Sequence, residues 1–140
     1  SDQGKSWQAL TIPAKLHPEK LQQVQTSTAA PSSIFASGEG AGILRSDDGG
    51  ATWHSISSKL PSQNVATVAV HSFRPDTVYT WIKGKGTYRT EDGGDNWEDV
   101  ESAPQSTVIQ YAHSTLDGSM KIGWLYAATP DGVYLSMDCF

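Results

Sequence analysis

The amino-acid sequence predicts an all-β fold in which one small four-stranded sheet recurs about three times along 140 residues. Residues 24–53 align without a gap on residues 68–97, a shift of 44 positions. Each aligned unit contains short β-branched segments separated by glycine-rich turns, a pattern typical of strands. Windows with helical periodicity are nearly absent. Four short strands in about 44 residues is the period of a propeller blade, so we predict a β-propeller arc of about three four-stranded blades.

The first residues are predicted to complete a blade that precedes the first full unit. Residues 2–7 repeat the Asp, Gly and Trp spacing of residues 48–53, which lie 46 positions later. A strand is expected to follow each copy of this motif, so residues 7–12 are predicted to form a fourth, outer strand. Residues 1–19 are therefore assigned to the end of a preceding blade.

Two complete blades are predicted next, at residues 20–57 and 58–101. Only residues 18–23 suit a helical turn, because a proline opens them. The predicted strands of the second blade are Val65–Val70, Thr77–Ile82, Gly86–Thr90 and Trp97–Val100.

The last stretch, residues 102–140, is predicted to be an incomplete blade. Its segments 125–127, 132–134 and 136–138 repeat segments 78–80, 86–88 and 90–92 of the blade before it. The correspondence is looser, with an insertion around residues 116–121 and Phe140 where the motif has glycine. All 140 residues are thus interpreted as a single propeller segment.

Two segments carry side chains in one fixed spacing, S/T-x-D-x-G-x-x-W. This is the Asp-box pattern, and through it the chain resembles the sialidase-like BNR/Asp-box propeller family. Since the periodicity covers nearly the whole chain, the resemblance implies a fragment of a larger propeller. The motif residues are Ser46, Asp48, Gly50 and Trp53 in the first box (residues 46–53) and Thr90, Asp92, Gly94 and Trp97 in the second box (residues 90–97).

A tight hairpin explains these residue types without reference to any family. The turn leaves backbone N–H groups without ladder partners, and a short carboxylate can fold back to accept them. Glycine adopts the positive φ that such a turn requires. A nearby hydroxyl adds a local hydrogen bond, and the tryptophan ring anchors the start of the outer strand. The boxes are therefore interpreted as structural.

Composition and motif content argue against several classes of function. Ten basic and fifteen acidic side chains leave a formal net charge of -5, and this acidic balance does not favour binding to nucleic acid. No apolar run approaches the length of a membrane span, and the single Cys139 cannot form an intrachain disulfide. Neither a metal nor a cofactor is predicted, because no calcium loop is present and no helix follows the glycine-rich residues 38–42. His71 and His113 are interpreted as ordinary strand-end residues.

Catalysis is not predicted, although the sequence leaves the question open. The resemblance implies a sialidase site with three arginines for the substrate carboxylate, a tyrosine nucleophile and acidic partners. The chain has only Arg45, Arg74 and Arg89, and the first and last occupy equivalent repeat positions. We interpret those two as scaffold residues that form salt bridges, and no catalytic residue is assigned.

Recognition is predicted on one face of the arc. The resemblance implies that box turns lie opposite the binding face, which is then built from loops between second and third strands and from connections between blades. The charged loop tips Glu39, Lys83, Lys85 and Asp131 are the candidate binding residues. The alternative function is part of a carbohydrate-binding or glycoside hydrolase propeller, in which sugars would stack on Trp81, Tyr111 and Trp124.

The primary function predicted is a noncatalytic protein-interaction or assembly scaffold. Propellers that the chain resembles occur in secreted and periplasmic proteins, in sortilin-type receptors and in photosystem assembly factors, so an extracellular or periplasmic location is expected. Three blades do not close a ring. We therefore expect either further blades from a longer chain or a homo-oligomer, with a protein partner and, under the alternative, a glycan.

Overall fold

The computed structural model describes residues 4–114 and 123–137, which form antiparallel β-structure. Two short 3-10 turns, Ala14–Leu16 and Pro18–Lys20, precede the first strand. Of the residues described, none belongs to a helix with the length and apolarity that crossing a membrane requires. The strands are β1 Gln23–Thr26, β2 Ile34–Gly38, β3 Gly42–Ser46, β4 His54–Ser55, β5 Val65–Val70, β6 Val78–Ile82, β7 Gly86–Thr90, β8 Glu98–Asp99, β9 Gln110–His113, β10 Leu125–Thr129 and β11 Gly132–Ser136.

The strands form three antiparallel sheets. Sheet 1 has the order β1-β2-β3-β4, sheet 2 the order β5-β6-β7-β8, and sheet 3 comprises β9, β10 and β11. Each sheet is an up-and-down meander, as in a propeller blade. The first strands of successive sheets contact one another, β1 with β5 and β5 with β9. The predicted all-β propeller arc is confirmed, with three strands in sheet 3 among the described residues.

Sheet 2 is buried on both faces because its side chains alternate between two cores. From β6, Val78 and Ile82 lie in a core shared with sheet 1, whereas Tyr79 and Trp81 lie in a core shared with sheet 3. This follows from the two-residue period of a strand, which points successive side chains to opposite faces. Sheet 2 therefore joins its two neighbours through apolar packing on both sides.

The antiparallel meander puts the turns at two opposite edges of the arc. We call one edge the loop face; it contains the turns 39–41, 83–85 and 130–131 and the connections 56–64 and 100–109. The other edge, the box face, contains the two boxes. There the backbone N–H of Gly49 donates to Ser32 O at 2.9 Å, and that of Gly93 donates to Asp76 O at 2.9 Å. Each box is thus tied to the turn beside it.

The N-terminal segment differs from the prediction. Residues 7–12 form no strand, because no described strand pairs with them and an unpaired extended segment has no ladder. Trp7 is 92% exposed. Two further expectations, for the motif that begins at Asp2 and for Phe140, fall on residues outside the described ranges.

Candidate functional site

The first box closes the turn between β3 and β4 around a carboxylate. Asp48 Oδ1 accepts hydrogen bonds from the Ser46 hydroxyl and from the Thr52 backbone N–H, each at 2.8 Å. The Thr52 hydroxyl donates to Asp48 Oδ2 at 2.6 Å, and the Gly50 N–H donates to Ser46 Oγ at 2.8 Å. Hydrogen bonds to the charged form, that of the Thr52 hydroxyl above all, lower the pKa of Asp48 to about 2.

The second box repeats this arrangement with different donors. Asp92 Oδ1 accepts from the Thr90 hydroxyl and from the Asn96 backbone N–H, each at 2.8 Å. The Asn96 side-chain amide donates to Asp92 Oδ2 at 2.7 Å, and the Gly94 N–H donates to Thr90 Oγ1 at 3.0 Å. The pKa of Asp92 is likewise lowered to about 2, mainly by the Asn96 backbone N–H. Both aspartates thus use their oxygens within the turn.

The fifth motif position must be glycine for two reasons. Gly50 and Gly94 have φ values of +95° and +100°, in the left-handed region that favours glycine. A Cβ at Gly94 would also lie 2.4 Å from the Ile56 carbonyl oxygen, and one at Gly50 would lie 2.5 Å from Leu10 Cδ1. The box of each sheet is therefore packed closely against the segment that precedes it.

The two box tryptophans are half-buried and form different hydrogen bonds. Trp97 Nε1 donates to the Ile56 carbonyl at 3.0 Å, so the second box is bonded to the connection that leaves sheet 1. Trp53 Nε1 donates to the carbonyl of Gly50, within its own box, at 3.1 Å. Only the second box thus binds a neighbouring sheet through its indole.

On the loop face, two of the predicted binding residues meet. Lys83 Nζ lies 3.3 Å from Glu39 Oε1, and this ion pair joins the turns of sheets 1 and 2. The turn of sheet 1 is held from behind, because the N–H groups of Gly40 and Gly42 both donate to Gln63 O, at 2.8 and 3.2 Å. The backbone of the turn that carries Glu39 is therefore held in place by these two hydrogen bonds.

A cleft of about 630 Å³ opens on the loop face beside this pair. It lies between the turn 83–85 of sheet 2 and the connection 100–109 that leads to sheet 3. One wall carries Lys83 and Lys85, and the other carries Asp99 and Glu101, so the walls have opposite charges. Gln105 and Thr107 add polar groups to the second wall. The cleft offers charged and hydrogen-bonding groups of both kinds to one ligand.

The fourth predicted residue, Asp131, is not among the residues that line the cleft. The Ser106 hydroxyl donates to Asp131 Oδ2, which ties the connection 100–109 to the turn of sheet 3. Sequence reasoning missed Asp99 as a member of the site; it placed the connection that begins at Glu101 on the binding face but did not single out Glu101 as a candidate residue. The first ends the short strand β8 and the second opens the connection between sheets, and the repeat alone does not say which polar groups a connection presents.

The aromatic residues proposed for sugar stacking are mostly buried, which corrects that expectation. Trp81 is 6% exposed and Tyr111 is 0% exposed, whereas Trp124 is 36% exposed. Tyr111 packs between sheets 2 and 3, where its hydroxyl lies 2.6 Å from Thr87 Oγ1. Burial raises the pKa of Tyr111 to about 12. Trp81 and Tyr111 therefore belong to the core, and their rings are covered.

His71 and His113 also lie between sheets 2 and 3. Their ring centroids are 4.1 Å apart. His71 Nδ1 accepts from the Phe73 N–H at 3.1 Å, and His113 Nδ1 accepts from the Ser72 N–H at 3.1 Å. The repeat placed both residues near strand ends, but it did not predict that the two rings contact each other, with their planes tilted by 34°.

The repeat-equivalent arginines form ion pairs on the box-face side of their sheets. Arg45 Nε lies 2.7 Å from Asp47 Oδ1, and its Nη1 lies 2.6 Å from Asp76 Oδ1 in sheet 2. Arg89 Nη2 lies 3.4 Å from Glu98 Oε2 in its own sheet. Arg45 therefore bridges two sheets, and Arg89 bridges two strands.

Solved structures share this fold. YCF48 from Cyanidioschyzon merolae matches with a TM-score of 0.61 and 20% identity over 86% of this chain. YCF48 bound to D1 peptide matches with a TM-score of 0.61 and 18% identity over 86% of the chain. A GH74 xyloglucanase from Xanthomonas campestris matches with a TM-score of 0.63 and 24% identity over 83% of it. At these identities the similarity shows the propeller fold alone.

The chain spans only part of each of these proteins. It covers 34% of the Cyanidioschyzon merolae YCF48 chain, 38% of the peptide-bound YCF48 chain and 17% of the xyloglucanase. No curated protein matches its sequence. The arc thus corresponds to a part of larger propellers.

A family model gives the sequence relationship. The model of the Sortilin-Vps10 family, described as sortilin, neurotensin receptor 3, matches residues 41–139. The match begins in the β2–β3 turn and takes in both boxes, sheet 2 and sheet 3. Because it extends over more than half of the sequence, the chain belongs to the Sortilin-Vps10 family.

Proposed function

We propose that this chain is part of a noncatalytic protein-interaction scaffold whose ligand binds on the loop face. The observation that carries the proposal is the cleft of about 630 Å³ between the turn 83–85 and the connection 100–109. A wall with Lys83 and Lys85 opposite a wall with Asp99 and Glu101 suits a polypeptide segment that carries side chains of both charges. Loops held on a rigid sheet framework are the usual location of such recognition.

The boxes have a separate role under this proposal. They lie on the opposite edge of the sheets, and their carboxylates bind groups within their own turns. We therefore assign them the role of stabilising the fold, as structural Asp-boxes of the BNR type. The peptide in one YCF48 structure is that protein's ligand. For this chain it supports only the general idea that a propeller of this fold binds a polypeptide. An extracellular or periplasmic location belongs to the same proposal.

A carbohydrate-binding propeller is the alternative, because GH74 enzymes share the fold. Sugar rings usually stack on exposed aromatic faces. Trp81 lines the cleft but is 6% exposed, and Tyr111 is fully buried. Charged side chains dominate the accessible walls. These observations favour a polypeptide over a glycan.

The proposal is tested by probing an array of 12-residue peptides of varied charge, and in parallel a glycan array, with the labelled chain. Peptides carrying both acidic and basic residues are expected to bind. Lys85→Glu is expected to weaken binding about tenfold, or ~1.4 kcal/mol. Asp95→Lys is the control, because it changes an exposed charge in the box turn. Saturable glycan binding without peptide binding would overturn the proposal in favour of the alternative.

A further inference from the structure

Within the described ranges, an aspartate is followed directly by a glycine in the pairs 48–49, 92–93 and 131–132. A further pair, 117–118, lies outside those ranges. This dipeptide rearranges without an enzyme when the backbone nitrogen of the glycine attacks Cγ of the aspartate, because glycine has no Cβ to hinder the approach. In a folded chain, the rate at each pair depends on how firmly the carboxyl group and the following N–H are held.

The pairs in the two boxes are held at both reacting groups. The Asp48 and Asp92 carboxylates accept hydrogen bonds on both oxygens. The N–H groups of Gly49 and Gly93 donate to carbonyl oxygens of the neighbouring turns, each at 2.9 Å. The hydrogen bonds to each carboxylate lower its pKa to about 2, which depletes the neutral acid from which the ring forms. A box must therefore open locally before its pair can react.

The third pair lies in the turn between β10 and β11, where its reacting groups are held less firmly. Among the described residues, the one side chain that donates to the Asp131 carboxylate is Ser106. The Thr129 hydroxyl bonds the Asp131 N–H at 3.2 Å and Gly132 O at 3.1 Å, and neither bond involves the attacking nitrogen or Cγ. Asp131 and Gly132 are both exposed, and Gly132 lies at the end of the ladder. Loop tips and ladder ends open at the lowest cost, so this pair reaches the reactive geometry most readily.

We propose that Asp131–Gly132 is a site of spontaneous isoaspartate formation and that the conversion releases the connection 100–109. The Gly132 nitrogen forms a bond to Asp131 Cγ, and the carboxyl OH leaves as water with the proton of that nitrogen. One water molecule then opens the five-membered succinimide. Attack at one carbonyl regenerates aspartate, and attack at the other gives isoaspartate, in which the main chain continues through Cγ. Water is the only other reactant, and the mass of the chain is unchanged.

The conversion changes what the turn can bind. Isoaspartate adds a methylene group to the main chain and leaves the carboxylate directly on Cα, so the acceptor of the Ser106 hydrogen bond moves. That bond ties the turn of sheet 3 to the connection 100–109, which carries the second wall of the cleft. The connection is therefore expected to become more mobile. This inference concerns the covalent chemistry of the chain itself and is independent of the ligand proposed above.

The first test compares the pairs within one sample. The 140-residue chain is kept warm at mildly acidic pH, below its unfolding temperature, and electron-transfer fragmentation of its tryptic peptides locates isoaspartate by residue. Conversion at Asp131 is expected to be about tenfold faster than at Asp48 or Asp92, because only the boxes must open first. In urea the three pairs should react at similar rates. Equal rates in the folded chain, or conversion at Asp131 only after unfolding, would overturn the proposal.

The second test measures the release of the connection. The isoaspartate form is separated by chromatography, and hydrogen exchange of residues 102–108 is compared with that of the unmodified chain. Exchange is expected to be several-fold faster in the isoaspartate form and in Ser106→Ala, which removes the same bond without the conversion. Asp131→Glu is the chemical control, because the longer side chain does not form the five-membered ring. Unchanged exchange in the isoaspartate form, or conversion of Asp131→Glu at the wild-type rate, would overturn the proposal.

Discussion

The two boxes have the same internal hydrogen bonds but differ in what surrounds them. In both, the aspartate binds a hydroxyl two residues earlier and a backbone N–H four residues later, at 2.8 Å. The donor to the second carboxylate oxygen changes from a threonine hydroxyl to an asparagine amide. The second box, however, is bonded by its indole to sheet 1, whereas the first bonds to itself.

This difference separates two levels of stabilisation. The turn itself is determined by its own eight residues, because every side chain that binds the carboxylate lies within four positions of it. The bond to a neighbouring sheet requires that a sheet precede the box. Sheet 2 follows sheet 1, while sheet 1 follows the segment 4–12, which belongs to none of the described sheets. Substitutions that act within the turn should therefore have equal effects in the two boxes, and those that act between sheets should not.

The largest difference is expected from the box glycines. A Cβ at Gly94 meets the Ile56 backbone, which cannot move aside, whereas one at Gly50 meets a leucine side chain that is half exposed. Gly94→Ala should lower the free energy of unfolding by about 3 kcal/mol or more, and Gly50→Ala by about 1–2 kcal/mol. Urea denaturation measures both changes.

Gly84→Ala is the matched control for backbone strain. Gly84 has a φ of +72°, and none of the described atoms lies within 4 Å of the position that an alanine methyl group would take. The substitution should therefore cost about 1 kcal/mol, from the backbone conformation alone. Equal losses of unfolding free energy in Gly50→Ala and Gly94→Ala would contradict the view that the second box is packed more rigidly against the segment that precedes it.

A smaller difference is expected from the box tryptophans. Trp97→Phe removes the hydrogen bond to Ile56 that joins sheets 1 and 2, and should cost about 2 kcal/mol. Trp53→Phe removes the same ring atoms but only a bond within the turn, and should cost about 1 kcal/mol. Thermal unfolding followed by near-ultraviolet circular dichroism compares the two variants. A larger loss of stability for Trp53→Phe than for Trp97→Phe would contradict the view that the Trp97 hydrogen bond joins two sheets and that the Trp53 bond acts only within its turn.

The arginines should show a smaller difference still. Arg45 reaches Asp76 in the next sheet at 2.6 Å, while Arg89 and Glu98 are 3.4 Å apart within one sheet. A double-mutant cycle should give a coupling of about 1 kcal/mol for the first pair and about 0.3 kcal/mol for the second, because both carboxylates are largely exposed. Both couplings should shrink in ~1 M salt. A coupling that resists salt would indicate that the pair is shielded from solvent.

The repeat predicted most of this fold because its signals are local. Glycine turns, β-branched segments and box residues follow one another within each unit of about 44 residues, so the strands of sheets 1 and 2 could be located from the sequence. The strand expected at residues 7–12 does not form in the described chain because a strand requires a partner, and no local signal supplies one.

The candidate site was less predictable, for the same reason. The turn residues Glu39 and Lys83 could be named from the repeat, but their ion pair joins two sheets. The acidic wall of the cleft comes from the end of β8 and an irregular connection. In such a connection the repeat does not predict which side chains face the cleft. Sugar stacking on Tyr111, expected only under the alternative function, requires an exposed ring, and the burial of this ring could not be predicted because a single strand does not reveal which of its faces a neighbouring sheet covers.

Acid should affect the two boxes equally, since the carboxylates are bound within their own turns. The pKa values of Asp48 and Asp92 fall from an ordinary 3.8 to about 2, so in this window the unfolded chain binds more protons than the folded one. The stabilisation is complete above about pH 4 and is lost as the pH falls from there through 2. Urea midpoints from about pH 7 to pH 2 should decline less steeply below pH 4 in Asp48→Asn and, by a similar amount, in Asp92→Asn. A weaker pH dependence of the urea midpoint in only one of the two variants would contradict the view that both boxes bind their aspartates in the same way.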